Sequence, residues 1–252
     1  GTEPAFADLM NAEAKRLGMT RSHFGTSNGW PDNDVTYVTA HDLALLAEAT
    51  IAQAPKLYKE FYASPSFTWG TTVGGEPITQ PNRNPILGRV AGADGLKTGH
   101  TEEAGYGFTG SAIQNGRRIV GVLAGLPTYN SRISEAVRFM DWGFRAWRLK
   151  HLFNKGAKVA DAKVQGGWSS QVALIAPRDL NATVPRATLE PMTVKVVYDG
   201  PISAPIAKGQ TIAHLVVQSA DGDTQKLPLV AGEAVAKAGF FGRLWTGLMS
   251  FF

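Results

Sequence analysis

The segment Gly95-Leu96-Lys97-Thr98-Gly99-His100-Thr101 sets a cation and a hydroxyl at adjacent positions and follows them with a glycine. On a strand, that order suits one task. The glycine lacks a Cβ, so a peptide-like ligand can come close to the strand edge. The Thr98 hydroxyl can bond a carboxylate, and the Lys97 ammonium supplies positive potential beside it. An ordinary edge strand with a solvated lysine has the same sequence, so the tripeptide by itself leaves both readings open. Other chemistry is scarce. His23, His41, His100, His151 and His214 form no His-x-x-x-His or His-Glu-x-x-His pair, which speaks against a metal site. There is no Gly-x-Ser-x-Gly elbow and no phosphate-binding loop, and Gly105-Tyr106-Gly107 falls short of a dinucleotide fingerprint. No cofactor is expected.

The elements that must position this segment are legible from periodicity. Thr2-Glu3-Pro4 opens a helix with a cap, a first-turn proline and an acid at its positive end, and Gly18 closes it. Residues 20–37 read as a loop, a second helix starts at Thr39 with Asp42 in its capping-box region, and a short third helix covers 55–62. The period then changes to strands over 66–69, 95–101, 107–113 and 117–125. Asn115-Gly116 is a two-residue hairpin turn between the last two. Ile133, Val137, Met140, Phe144 and Trp147 mark a long amphipathic helix. Helices against an antiparallel sheet make an α+β domain over 1–153. Beyond the turn at Asn154-Lys155-Gly156, strand-like runs at 172–175, 193–198, 212–218 and 225–230 alternate with turn clusters, which predicts a small all-β sandwich domain over 154–236.

The 252 residues carry a formal charge of +4, with 44% hydrophobic and 18% charged residues, a balance that excludes a disordered chain. The basic excess is not clustered or interleaved with aromatics, which argues against nucleic acid and suits an anionic wall or lipid surface. No Cys is present, so disulfides, thiolate metal sites and cysteine nucleophiles are excluded. Residues 237–252 place Phe240, Phe241, Leu244, Trp245, Leu248, Met249 and Phe252 on one helical stripe, with Lys237 and Arg243 its charged groups. Two fates suit it, docking on the β domain or lying in a membrane surface. The glycines at 239, 242 and 247 weaken any helix in water, which favours the membrane.

The string Asp94-Gly95-Leu96-Lys97-Thr98-Gly99-His100-Thr101 resembles the D-alanyl-D-alanine carboxypeptidases among the low-molecular-mass penicillin-binding proteins. So do Asn82-Arg83-Asn84, the first helix, the loop at 24–31, the β domain around 198–206 and the amphipathic tail. The resemblance implies part of a β-lactamase/transpeptidase-like domain, an all-β domain and a C-terminal membrane anchor. It also implies removal of the terminal D-Ala from peptidoglycan stem peptides through a seryl acyl-enzyme, trapped by β-lactams, at the periplasmic face of the inner membrane. Carried onto this chain, Lys97 tunes protons and potential, Thr98 binds the substrate carboxylate, and Gly99 admits the ligand. The backbone N–H of His100 is an oxyanion donor, while its imidazole suits a structural role equally. Arg83 shapes the carboxylate side of the pocket or is simply a structural arginine.

One departure is serious. The sequence contains no Ser-x-x-Lys and no Ser-x-Asn; Thr26-Ser27-Asn28 mimics the latter in a loop where the family keeps no catalytic group. In the family both motifs lie upstream of the helix that begins here at Thr2. Opening with Gly1, the chain is expected to be a processed, tagged or truncated product. Its nucleophile is expected on an N-terminal fragment that is separate or lost. A catalytically silent wall- or membrane-associated binding module is the alternative.

Overall fold

A computed structural model describes residues 1–187, 192–219 and 222–239, in two compact units, Gly1–Arg145 and Ala146–Phe252. In the first, the Thr2 hydroxyl accepts from the Ala5 N–H and starts α1 (Glu3–Arg16). Gly18, at φ +83°, turns the chain away. The loop that follows is tied to α1 by both ends of the Asn11 amide, which bond the N–H and carbonyl of Phe24. Thr39 caps α2 (Ala40–Gln53). The Asp42 carboxylate does not return to the cap as a capping box requires. It is buried and accepts from the Arg21 N–H and the Ser22 hydroxyl, pinning the loop instead. Next come α3 (Pro55–Tyr62) and a hairpin of β1 (Ser66–Thr71) and β2 (Pro77–Pro81). Sequence reasoning missed β2 because prolines bracket it; both sit at its ends, where a ladder N–H is dispensable.

Strands β3 (Ala93–Thr101), β4 (Gly105–Gln114) and β5 (Arg117–Leu126) form an antiparallel sheet in that order. Asn115 and Gly116 both have positive φ, the geometry the hairpin signal requires. Consecutive residues of β5 face opposite ways. Ile119 joins a cluster with Ile86, Phe108, Ala112 and Met140, and Val120 one with Ala47, Tyr58 and Leu96. The sheet therefore has an apolar cluster on each face. The first includes α4 (Tyr129–Ala146), whose buried side is Arg132, Ala136, Met140, Gly143 and Phe144. This corrects the predicted stripe: Ile133 and Val137 flank that side, and Trp147 is no longer helical but opens β6.

The second unit begins with β6 (Trp147–Phe153), which pairs with β9 (Leu180–Pro185) as a two-stranded sheet. The compact division thus falls ahead of β6 and earlier than the turn at Asn154-Lys155-Gly156. Strands β7 (Lys158–Gln165), β8 (Gln171–Ile175), β10 (Thr193–Val197), β11 (Ile202–Ser203), β12 (Thr211–Gln218) and β13 (Thr224–Ala231) make a six-stranded sheet ordered β10-β12-β13-β8-β7-β11. Ala182 and Val184 of the small sheet pack on Val217 and Leu227 of the large one. The Gln225 amide bonds both backbone groups of Thr183. The α+β domain and the following β-sandwich are the expected fold classes. No helix among the described residues is long and apolar enough to cross a membrane. Residues 240–252, the greater part of the amphipathic tail, lie outside the described residues.

Candidate active site

In the three-stranded sheet β3 pairs with β4 on one side and, among the described residues, with no strand on the other. The sheet edge is where the sequence places Lys97, Thr98, Gly99 and His100, and the two halves of β3 differ there. Gly95 and Leu96 are buried, Lys97, Gly99 and His100 are exposed, and Thr98 is half-buried.

The buried half is anchored by a polar network. Arg118 on β5 donates two parallel bonds of 2.8 Å to the Asp94 carboxylate, and its Nη1 also reaches the sealed Ser111 hydroxyl at 2.5 Å. The Tyr58 hydroxyl donates to the same carboxylate at 2.7 Å, and Arg118 lies over the Tyr58 ring. Burial, and then the bond to Asp94, push the Tyr58 phenol above its ordinary pKa, so it stays a donor. A Cβ on Gly95 would lie 2.5 Å from the Tyr58 oxygen; that glycine is required by the chain's own packing.

Gly99 is the opposite case. A Cβ there would meet nothing within 4 Å, so no neighbour among the described residues demands a glycine, and the space beside it is open. Lys97 Nζ donates to the Thr98 carbonyl. Although Lys97 as a whole is exposed, partial desolvation of its ammonium, and after it the guanidiniums of Arg83 and Arg132, hold it below the ordinary lysine pKa. The His100 ring lies 3.9 Å from the Tyr106 ring, centroid to centroid.

Arg83 is exposed and its field reaches Lys97. The two asparagines around it are structural. Asn82 donates to the Ser64 carbonyl and accepts from the Asn84 N–H, while buried Asn84 accepts from the Ile86 N–H. Together they hold a turn with Arg83 at its apex.

Arg132 was missed by sequence reasoning. It lies on the inward side of α4, is buried, and its Nη1 donates to the Gly99 carbonyl at 3.3 Å. Its guanidinium lies 5.3 Å from the Tyr106 ring centroid and 5.1 Å from that of Tyr129. Its Nε is buried and has no hydrogen-bond partner among the described residues. The signal was available: position 132 shares the helical spacing of Ala136, Met140 and Gly143, and an arginine on an apolar face is worth explaining. The structure thus brings Lys97, Thr98, Gly99 and His100 together on one edge, with two cations whose fields reach Lys97. Among the described residues no group of three His, Asp or Glu side chains could hold a metal.

The Lys-Thr-Gly segment thus lies on the exposed edge of an antiparallel sheet, in a helix-and-sheet domain followed by a β-sandwich, the pair of domains that the resemblance implies. Residues 1–128 match the family described as D-alanyl-D-alanine carboxypeptidase, and residues 147–237 match the penicillin-binding protein 5 C-terminal domain. The chain belongs to the D-alanyl-D-alanine carboxypeptidase family. It is 34% identical over 251 residues to D-alanyl-D-alanine carboxypeptidase DacC of Escherichia coli, covering 99% of this chain and 61% of that protein. Against DacA of Haemophilus influenzae it is 32% identical over 254 residues, with 99% and 62% covered. Penicillin-binding protein 5 from Haemophilus influenzae superposes with a TM-score of 0.73 at 30% identity, covering 93% of this chain and 67% of that one. The chain therefore spans about three-fifths of the length of the curated relatives it matches.

Proposed function

We propose that this chain is the larger portion of a serine-type DD-carboxypeptidase of the bacterial cell envelope, supplying one wall of the catalytic cleft. The observation that carries the reading is the β3 edge: an open space at Gly99 beside Thr98, in a field made positive by Lys97, Arg83 and Arg132. A peptide ending in a carboxylate can lie along such an edge, with Thr98 donating to the carboxylate and the cations balancing its charge. In this reading the unit Gly1–Arg145 is the catalytic portion, the β domain starts ahead of β6 and not at 154, and 237–252 is an anchor on the inner-membrane surface.

The chemistry needs a nucleophile that the 252 residues lack, since no Ser-x-x-Lys is present. It comes from an N-terminal fragment of the same protein. A serine oxygen on that fragment attacks the penultimate D-Ala carbonyl, the peptide C–N bond breaks, and the leaving D-Ala amine takes a proton. Water then cleaves the seryl ester. On this chain Lys97 tunes the proton transfers, the His100 N–H is one donor to the developing oxyanion, and Arg83 lines the carboxylate side. A β-lactam acylates the same serine. Exposed apolar side chains in the first unit support a companion: Leu9 on α1, Phe61 on α3 and Phe67 on β1 are 66–69% exposed, and such side chains are of the kind another polypeptide covers.

The absence of the serine motif favours a second reading, a silent binding module. Fluorescent penicillin and intact-mass measurement separate the two. Label on a smaller companion band supports the enzyme. Label on this chain overturns the assignment of the nucleophile, and no companion with no adduct leaves the module.

A further inference from the structure

The turn between β7 and β8 carries Trp168, 69% exposed, beside residues 236–238. Gly166, at φ +67°, bends the chain there. Gly167 has no room for a side chain, since a Cβ would lie 2.7 Å from Val235 and 3.1 Å from Ala204. The turn is stitched to the last described residues by the Trp168 N–H to the Ala236 carbonyl at 3.1 Å and the Ala238 N–H to the Gly166 carbonyl at 2.8 Å. Gly167 and Lys237 form a bridge between them. The indole is thus held on a rigid turn beside an exposed lysine and exposed Ala236, and the chain continues from there into the apolar stripe at 240–252.

We propose that this turn is a second membrane contact, with Trp168 inserting at the headgroup level of an anionic bilayer and Lys237 over the lipid charge. A tryptophan has an apolar body and a polar N–H, which suits the boundary between acyl chains and headgroups. Lys237 adds attraction to anionic lipid. Two features bind the proposal to a lipid surface: the turn is hydrogen-bonded to Ala236 and Ala238, just ahead of the apolar sequence stripe at 240–252, and the adjoining charge is positive. It rests on the membrane reading of the tail, and its function is to fix the orientation of the β unit on the surface, which a tail alone leaves free.

The test is sedimentation of the full chain with vesicles of phosphatidylethanolamine and phosphatidylglycerol. Trp168→Ser should weaken binding about tenfold and Trp168→Phe much less, from the area a tryptophan removes from water. Lys237→Gln should weaken it a few-fold on these vesicles and leave phosphatidylcholine vesicles unaffected. Lipid brominated in the acyl chains should quench more fluorescence in the parent than in Trp168→Phe, a readout that does not depend on the folding of the serine variant. Unchanged binding by Trp168→Ser together with equal quenching overturns the proposal. Deleting 240–252 tests the tail separately: if that deletion abolishes binding while Trp168→Ser does nothing, the tail reading stands and this inference falls. If neither change matters, both fall.

Discussion

In the Ala146–Phe252 unit Val172, Leu174, Leu180, Leu215, Val217 and Leu229 are sealed from solvent, whereas the longer Gly1–Arg145 unit seals only Pro85, Ile86 and Met140 as completely among its larger apolar side chains. The first unit instead leaves Phe6 and Leu9 on α1, Leu57 and Phe61 on α3, and Phe67 and Trp69 on β1 exposed. Both have ordinary hairpins and paired strands, so local propensity does not separate them. Closure does. Two facing sheets bury each other's apolar sides, while a three-stranded sheet with four helices runs out of partners for α1, α3 and the β1–β2 hairpin. An apolar helix face in water is a face awaiting a partner.

The sharpest way to break this comparison is to remove one apolar side chain from each unit. Leu215→Ala should cost the β unit about 3 kcal/mol, since the site is closed on every side, read as a drop in its thermal midpoint. Leu9→Ala should change this chain's stability by less than about 0.5 kcal/mol and weaken its association with the N-terminal fragment about tenfold. Comparable destabilisation by both would mean that the first unit is as complete as the second.

Lys97→Ala tests the other half of the argument. With the companion present, acylation by penicillin should fall about a hundredfold, in the range expected for losing a group that handles protons, while binding of the companion is kept. Wild-type acylation would return Lys97 to a solvated residue on an edge strand.

The fold was largely readable where period and punctuation agree: α1 from Thr2 to Gly18, the Asn115-Gly116 hairpin, and the alternating strands β12 and β13. Reading failed where tertiary pairing overrides local signal. Strand β2 lies between prolines, and β6 follows α4 without a breaker, so Trp147 was assigned to the helix although it pairs with Pro185. The site was legible in part. Lys97, Thr98, Gly99 and His100 form one continuous segment, so a strand brings them together automatically. Arg132 comes from a helix far along the chain, and nothing local states that α4 would turn that position toward Gly99. The two glycines of the motif look alike in sequence. Only packing shows that Gly95 is forced by the Tyr58 ring and Gly99 is left open.

Asp94→Asn extends that contrast within β3. It leaves the Arg118 guanidinium with one good acceptor fewer and should cost about 2 kcal/mol, less than a fully buried pair because both side chains are partly exposed. The Glu13–Arg16 pair on α1, in which about half of each side chain is exposed, is the control, and Glu13→Gln should lower the thermal midpoint far less. Equal losses would mean that the Asp94–Arg118–Tyr58 network does not anchor the strand.

The smallest effect is the most specific to the site. Lys97 is held below the ordinary lysine pKa of 10.5 chiefly by partial desolvation of its ammonium, with Arg83 and Arg132 adding repulsion. With the lysines methylated by a carbon-13 label, its resonance should titrate below the ordinary lysine value. Because the folded state disfavours the ammonium, stability should rise with pH from that folded midpoint up to 10.5, where the unfolded chain also loses the proton. Lys97→Met should flatten that rise. Arg83→Gln should move the midpoint part of the way back up, and only part, since partial desolvation is the larger cause. An unchanged midpoint would place Arg83 outside the reach of Lys97 and remove it from the carboxylate side of the cleft, leaving Arg132 as the cation that shares the edge.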